Sequence, residues 1–125
     1  MNNSIDILND TIEKTIDKCH WIKKQTPLDI TNSVNEELNE VIDEIKNDNN
    51  NNLEEEVGDL LFTVILLGKL LEKEGKISLV KSIERVNEKI IKRSPHVFGD
   101  KVANSPEEAL AIWNAIKYRE YKKKV

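Results

Sequence analysis

The apolar positions of this chain say the same thing twice. From Val34 the sequence reads Val34, Glu37, Leu38, Glu40, Val41, Ile42 and Ile45. Nineteen residues on it reads Leu53, Glu56, Val57, Asp59, Leu60, Leu61 and Val64, apolar on apolar and acid on acid. The apolar places fall at i, i+4, i+7, i+8 and i+11, which is one face of an α-helix. Between the copies, Asn47-Asp48-Asn49-Asn50-Asn51-Asn52 is a polar break suited to a tight connection. The pattern predicts two helices, about 31–47 and 53–74, joined as an antiparallel hairpin that buries its apolar faces together.

The same period predicts about five helices in all. A first, over 5–19, has Ile5, Leu8, Ile12 and Ile16 as its stripe, Ser4 as cap and Asp6 near the positive end of its dipole. Cys19 to Pro27 reads as a segment ending in a break, and Ser33-Val34-Asn35-Glu36 has the spacing of a capping box that opens the second helix. The third helix runs to Gly75. Phe62, Ile65, Leu66 and Leu70 leave its stripe, so it is apolar nearly all round and expected to be buried nearly all round. Either it is the central helix of a bundle or its far side meets a second subunit; a dimer is the favoured expectation. A fourth helix, about 78–92, has Leu79, Ser82, Ile83, Val86 and Ile90 as its inner stripe and Ser78 as cap. It stops at Ser94-Pro95-His96-Val97-Phe98-Gly99-Asp100. The last opens with Ser105-Pro106-Glu107-Glu108 and buries Ala109, Ile112, Trp113 and Ile116, before a tail over 117–124 that is expected to fray.

Composition agrees with this outline. At 125 residues, with only four Gly and three Pro, the chain reads as one all-α domain over 1–125. A formal net charge of −4 argues against nucleic acid as a partner. The single Cys19 cannot close an internal disulfide, no apolar run approaches a membrane span, and Met1 to Asp6 is no signal peptide. A cytoplasmic setting is expected.

The candidate chemistry is acidic. A hairpin has a local two-fold axis, so equal wheel positions emerge on one side of the pair. Glu37, Glu40, Glu56 and Asp59 are therefore expected to converge, each pair one turn apart on its own helix. Four crowded carboxylates raise each other's pKa, and a hard divalent cation removes the conflict. Oxygen-rich sites favour magnesium, manganese or calcium over zinc. The competing reading is a solvated acidic edge, ordinary in a chain that is 34% charged. Lys89 and Arg93 at i,i+4 leave one helix face with two cations, a solvated basic end or the grip on an anion. Trp113 and Lys117 share a face in the same way. Trp21 and Gln25 form a possible aromatic-plus-amide pocket for a flat ligand, against the plainer reading of Trp21 as a cover for the core. His96 is a switchable group by chemistry and a turn residue by position. No Ser-His-Asp set, activated Cys or Gly-rich phosphate loop competes.

Together these residues carry a resemblance. Glu37-x-x-Glu40 followed by Glu56-x-x-Asp59 resembles the ExxE…ExxD signature of the all-α nucleoside triphosphate pyrophosphohydrolases, and within them the MazG family. Cys19-His20-Trp21-Ile22-Lys23-Lys24-Gln25-Thr26 is similar to that family's CPWDxxQT opening. Asn87-Glu88-Lys89 through Arg93-Ser94-Pro95-His96-Val97-Phe98-Gly99-Asp100 is similar to its NEKxxRRHPHVFGD segment, and Trp113-x-x-x-Lys117 to its closing WxxxK. Five segments in order, from about 19 to 118, make the likeness specific. The chain departs from it at His20, Ile22 and Ser94, positions that bear on base recognition rather than on metal binding.

The resemblance implies Mg2+, with Mn2+ as a substitute, held by Glu37, Glu40, Glu56 and Asp59. It also implies that Lys89, Arg93 and Lys117 grip phosphates, that Trp113 lies against the nucleotide or the pocket wall, and that Trp21 and Gln25 serve the base end. The expected reaction is hydrolysis of a nucleoside triphosphate to the monophosphate and pyrophosphate, with Glu37 or Glu40 taking a proton from water. The alternative is a non-catalytic helical module that holds a nucleotide or a partner helix.

Overall fold

The computed structural model describes residues 2–124, and among them every regular element is a helix. In chain order these are α1 (Asn2–Lys18), α2 (His20–Lys23), α3 (Pro27–Asn47), α4 (Asn50–Lys73), α5 (Leu79–Arg93), α6 (Pro95–Phe98) and α7 (Pro106–Lys124). Five are long and correspond to the predicted set; α2 and α6 are single turns. No helix is long and apolar enough to cross a membrane among the described residues. The contacts divide the chain into two compact units, Met1–Ser78 and Leu79–Val125.

In the first unit the predicted hairpin is present, with both helices starting earlier than expected. α3 starts four residues before the expected Thr31, because Thr26 and Pro27 open the helix rather than ending the segment before it. Thr26 is extended, and its hydroxyl accepts from the Asp29 N–H at 3.1 Å while the Asp29 carboxylate accepts from the Thr26 N–H at 2.9 Å. That is a complete capping box with proline at the first helical position, where its missing N–H costs nothing. The Thr26 amide holds the Asp29 carboxyl below its ordinary pKa. Ser33, expected as the cap, lies inside the helix. Thr26→Ala should cost about 1 kcal/mol in chemical denaturation.

The turn between α3 and α4 is only Asp48 and Asn49. Asp48 takes a left-handed conformation, φ 54° and ψ 40°, and its N–H closes onto α3 carbonyls. Asn49 caps α4 by accepting from the Asn52 N–H. Asp and Asn tolerate these conformations because their short side chains bond locally. A similar correction applies at α1, which is already helical at Asn2. Ser4 is therefore an interior residue and Asp6 lies beyond the first turn.

The core of this unit is Ile12, Ile16, Ile22, Ile30, Leu66 and Leu70, with Leu8, Cys19, Val34, Phe62, Ile65 and Leu67 packed around it. It draws on α1, α2, α3 and α4. Ile5, expected in the α1 stripe, is instead exposed. Lys69 is buried on α4 and pairs with Glu13 of α1, so its charge is compensated where its stem enters the core.

The hairpin's repeated face is not consumed by the fold. Val41 is buried, and Val34, Leu53 and Leu60 are half-buried, but Leu38, Ile42, Ile45, Val57, Leu61 and Val64 remain 38–60% exposed. The expectation that the two helices bury these faces in each other is therefore corrected. α4 turns its other side, Phe62, Ile65, Leu66 and Leu70, to the core.

In the second unit none of the described residues of α5 is buried. The stripe expected to face inward, Ile83, Val86 and Ile90, is 43–59% exposed, and Leu79 is half-buried. α6 follows as one turn. At its end the Gly99 N–H bonds to the Pro95 carbonyl at 3.0 Å, and a Cβ on Gly99 would meet that same oxygen. α7 begins as the sequence predicts, with Ser105 accepting from the Glu108 N–H at 3.1 Å. The Glu108 carboxylate reaches the Asn104 N–H, one residue before the position a capping box would use. Ala109, Ile112, Trp113 and Ile116 are half-buried. The tail does not fray: α7 continues to Lys124, and Glu120 within it is tied to α5.

Candidate functional site

Each acidic pair lies one turn apart on a helix whose start is set by its cap, so the register of the hairpin decides which carboxylates meet. Glu37, from α3, and Glu56 and Asp59, from α4, bring one carboxylate oxygen each within 4.8 Å of one another, and all three side chains are half-buried. Glu40 is outside this group and exposed. The predicted convergence of four is thus a cluster of three with a fourth acid nearby. Its charge is nevertheless felt: the Glu56 carboxyl is pushed above its ordinary pKa by partial burial first, then by the charges of Glu40, Asp59 and Glu37. The closeness of the Glu37 carboxyl adds to this upward push. A crowded carboxylate that resists ionisation is eased by a cation as well as by a proton.

The remaining residues of the first unit are placed less tightly. Trp21 is 63% exposed, so it does not cover the core. Gln25 donates to the Trp21 carbonyl at 3.4 Å and lines a crevice with Ile16, Ile22 and Leu70 that does not include Trp21.

In the second unit the basic residues gather around one cavity. Lys89 and Arg93 of α5 line it with Arg85, Glu88, Lys92, Glu120 and Lys123. The Arg93 guanidinium lies over the Trp113 ring, 5.4 Å from its centroid, within the range of cation–π attraction. Lys117 is exposed, one turn beyond Trp113 on α7. The His96 Nδ1 is buried without a hydrogen-bond partner among the described residues.

Glu120 is the residue that sequence reasoning passed over. Its Oε2 accepts from Arg93 Nε at 3.1 Å and Nη2 at 2.8 Å, and its Oε1 lies 3.2 Å from Lys92 Nζ. These bonds, Arg93's first, hold its carboxyl below the ordinary pKa. The spacing was a usable signal: Trp113, Lys117 and Glu120 stand at i, i+4 and i+7, one face of α7. A lone acid in a lysine-rich tail gave no other reason to single it out.

Comparison with known proteins shows the family. The chain matches the MazG nucleotide pyrophosphohydrolase domain over residues 25–98, a span that holds all four acids with Gln25, Lys89 and Arg93. It is 35% identical over 121 residues to the nucleoside triphosphate pyrophosphohydrolase of Escherichia coli K12, covering 94% of this chain and 46% of that protein. It is 36% identical over 106 residues to the nucleoside triphosphate pyrophosphohydrolase/pyrophosphatase MazG of Thermotoga maritima, covering 85% and 40%. The chain therefore spans less than half the length of these curated relatives. The crystal structure of a mazG-related protein from Thermotoga maritima is similar at a TM-score of 0.82 and 33% identity, over 90% of this chain and 98% of that one.

Proposed function

This chain belongs to the MazG nucleotide pyrophosphohydrolase domain family, and from that premise we propose that it hydrolyses nucleoside triphosphates to nucleoside monophosphate and pyrophosphate. The observation that carries the reading is the three-carboxylate cluster of Glu37, Glu56 and Asp59. Oxygens sharing one octahedral magnesium ion lie at most about 4.2 Å apart. Three carboxylates with oxygens within 4.8 Å of one another offer the all-oxygen donor set that magnesium takes, with manganese as a substitute. When bound, the cation would supply Lewis acidity to a phosphoryl oxygen and make water more acidic.

The chain's own residues would do the rest. Glu37, Glu56 and Asp59 hold the cation in a half-buried setting, where their charges are worth more than in open water. Glu40, exposed and outside the cluster, is the carboxylate best placed to accept a proton from water, since it is not committed as a ligand. Lys89, Arg93 and Lys117 bind polyphosphate oxygens and offset the charge that builds on the leaving pyrophosphate. The Trp113 ring attracts the Arg93 guanidinium that lies over it. The half-buried, unpaired Cys19 supports a reducing, cytoplasmic setting.

The product assay tests this directly. The purified chain, given the eight common ribo- and deoxyribonucleoside triphosphates, should form monophosphate and pyrophosphate with magnesium and nothing with chelator. Diphosphate with orthophosphate would place the cut at the wrong bond. No turnover and no response to magnesium would leave the non-catalytic module.

The same reading includes a homodimer. Leu38, Ile42, Ile45, Val57, Leu61 and Val64 leave an apolar surface on two adjacent helices, which water disfavours and a second copy would cover. Sedimentation should find twice the chain mass, and Leu61→Asp should return it to the monomer. A wild-type monomer at micromolar concentration would overturn the assembly.

A further inference from the structure

We propose that Glu120 is a positioning residue for phosphate binding, one that fixes the Arg93 guanidinium so that its remaining edge is offered to a polyphosphate. The inference rests on the reading of Arg93 as a phosphate ligand and goes beyond it by naming what aims that ligand. Arginine carries five N–H donors in a planar fork. One Glu120 oxygen takes the Nε and Nη2 donors, at 3.1 and 2.8 Å, and leaves the other three outside the contact. The Arg93 Cζ also lies over the Trp113 ring, 5.4 Å from its centroid. Arg93 is thereby held along one edge and neighboured by the ring, with its side chain 12% exposed. Both groups come from α7 and stand seven residues apart, two turns along one face, so a single rigid helix sets the geometry.

A carboxylate near a phosphate would ordinarily repel it. Here the cavity is lined by five cations, Arg85, Lys89, Lys92, Arg93 and Lys123, against two carboxylates, Glu88 and Glu120, so its sign stays positive. Glu120's contact with Lys92 adds little to the argument, since Lys92 is 64% exposed and its charge is largely screened. Bidentate recognition of phosphate needs the two terminal nitrogens presented together. A guanidinium ordered before the ligand arrives loses less freedom on binding than one that must be ordered by it.

Charge and positioning predict opposite signs, which makes the test sharp. The full chain and its variants are titrated with inorganic tripolyphosphate by calorimetry at fixed salt and magnesium, with helicity followed in parallel. Positioning predicts that Glu120→Ala weakens binding about tenfold, the worth of a charge-assisted hydrogen-bond pair. Glu120→Gln keeps the accepting oxygen and should bind within about twofold of wild type or tighter. In an Arg93→Ala background, Glu120→Ala should add no more than about twofold, because it acts through Arg93. If Glu120→Ala loses helicity, Glu120→Asp takes its place, keeping the charge while withdrawing the oxygen by one methylene, with the same expected loss.

Binding by Glu120→Ala as tight as wild type or tighter would mean that only charge matters and would overturn the proposal. So would an equal loss in Glu120→Gln, or a tenfold loss that persists without Arg93. A wild type that binds tripolyphosphate but turns over no nucleotide would remove the hydrolase reading and leave this one standing. A wild type that does not bind tripolyphosphate would overturn this proposal, while the product assay decides the hydrolase reading separately.

Discussion

Glu56→Gln is expected to lower magnesium-dependent turnover of nucleoside triphosphates by at least about a hundredfold, while raising the melting temperature of the metal-free chain. The two effects have one cause. Partial burial, and then the charges of Glu40, Asp59 and Glu37, push the Glu56 carboxyl above its ordinary pKa. The folded state thus holds a charge it would rather not carry. Because the folded pKa lies above the unfolded one, the metal-free fold gains stability as pH falls through the folded value and loses it as pH rises again. Magnesium removes the same penalty without the proton, so its stabilising effect should weaken in mild acid, where protons compete for the carboxylate. Thermal melts with chelator and with magnesium, at neutral and mildly acidic pH, test both parts. In the Gln variant the magnesium-induced rise should vanish and the pH dependence should flatten. A variant that keeps its turnover, or keeps the magnesium-induced rise, would remove Glu56 from the metal centre.

Ile12→Ala should behave in the opposite way, costing about 3–4 kcal/mol of stability with little change in turnover at 25 °C. Ile12 is fully buried at the centre of the α1–α4 core, where truncation leaves a cavity among Ile16, Ile30, Leu66 and Leu70. For a chain of this length that loss corresponds to a melting temperature lower by about 13 °C. Ile7, on the same helix but 64% exposed, is the control; Ile7→Ala should fall within about 0.5 kcal/mol of wild type. The acids sit on α3 and α4 themselves, so a cavity under α1 shifts the folded fraction without moving the ligands. A large fall in turnover under conditions where the variant remains folded would mean that α1 packing shapes the metal centre directly.

Much of this was readable without coordinates, for local reasons. A 3.6-residue period survives any packing, so the helical class and the existence of the five long helices followed from the spacing of Leu, Ile and Val. The acidic repeat named four carboxylates because a helix puts i and i+3 on one face whatever lies around it. Its cap chemistry was readable where one reading was open, as at Ser105, and misleading where two competed. Thr26-Pro27 and Ser33-Val34-Asn35-Glu36 both fit a helix start, and the side chain of Asp29 decided for the first by closing the box.

Other features depended on distances between residues far apart in the chain. The hairpin register puts Glu37 with Glu56 and Asp59 and leaves Glu40 outside, a difference of one turn that no periodicity specifies. Which apolar faces are covered is likewise a tertiary matter: the stripes of α3, α4 and α5 look alike in sequence, yet Leu66 and Leu70 are buried while Leu61, Ile83 and Val86 are not. Arg93 and Glu120, twenty-seven residues apart, meet because α5 and α7 pack together. The sequence by itself determined the helices and the chemical types along their faces, since those follow from backbone geometry within a few turns. Only the tertiary structure decided which of those faces meet, because that is set by packing between helices.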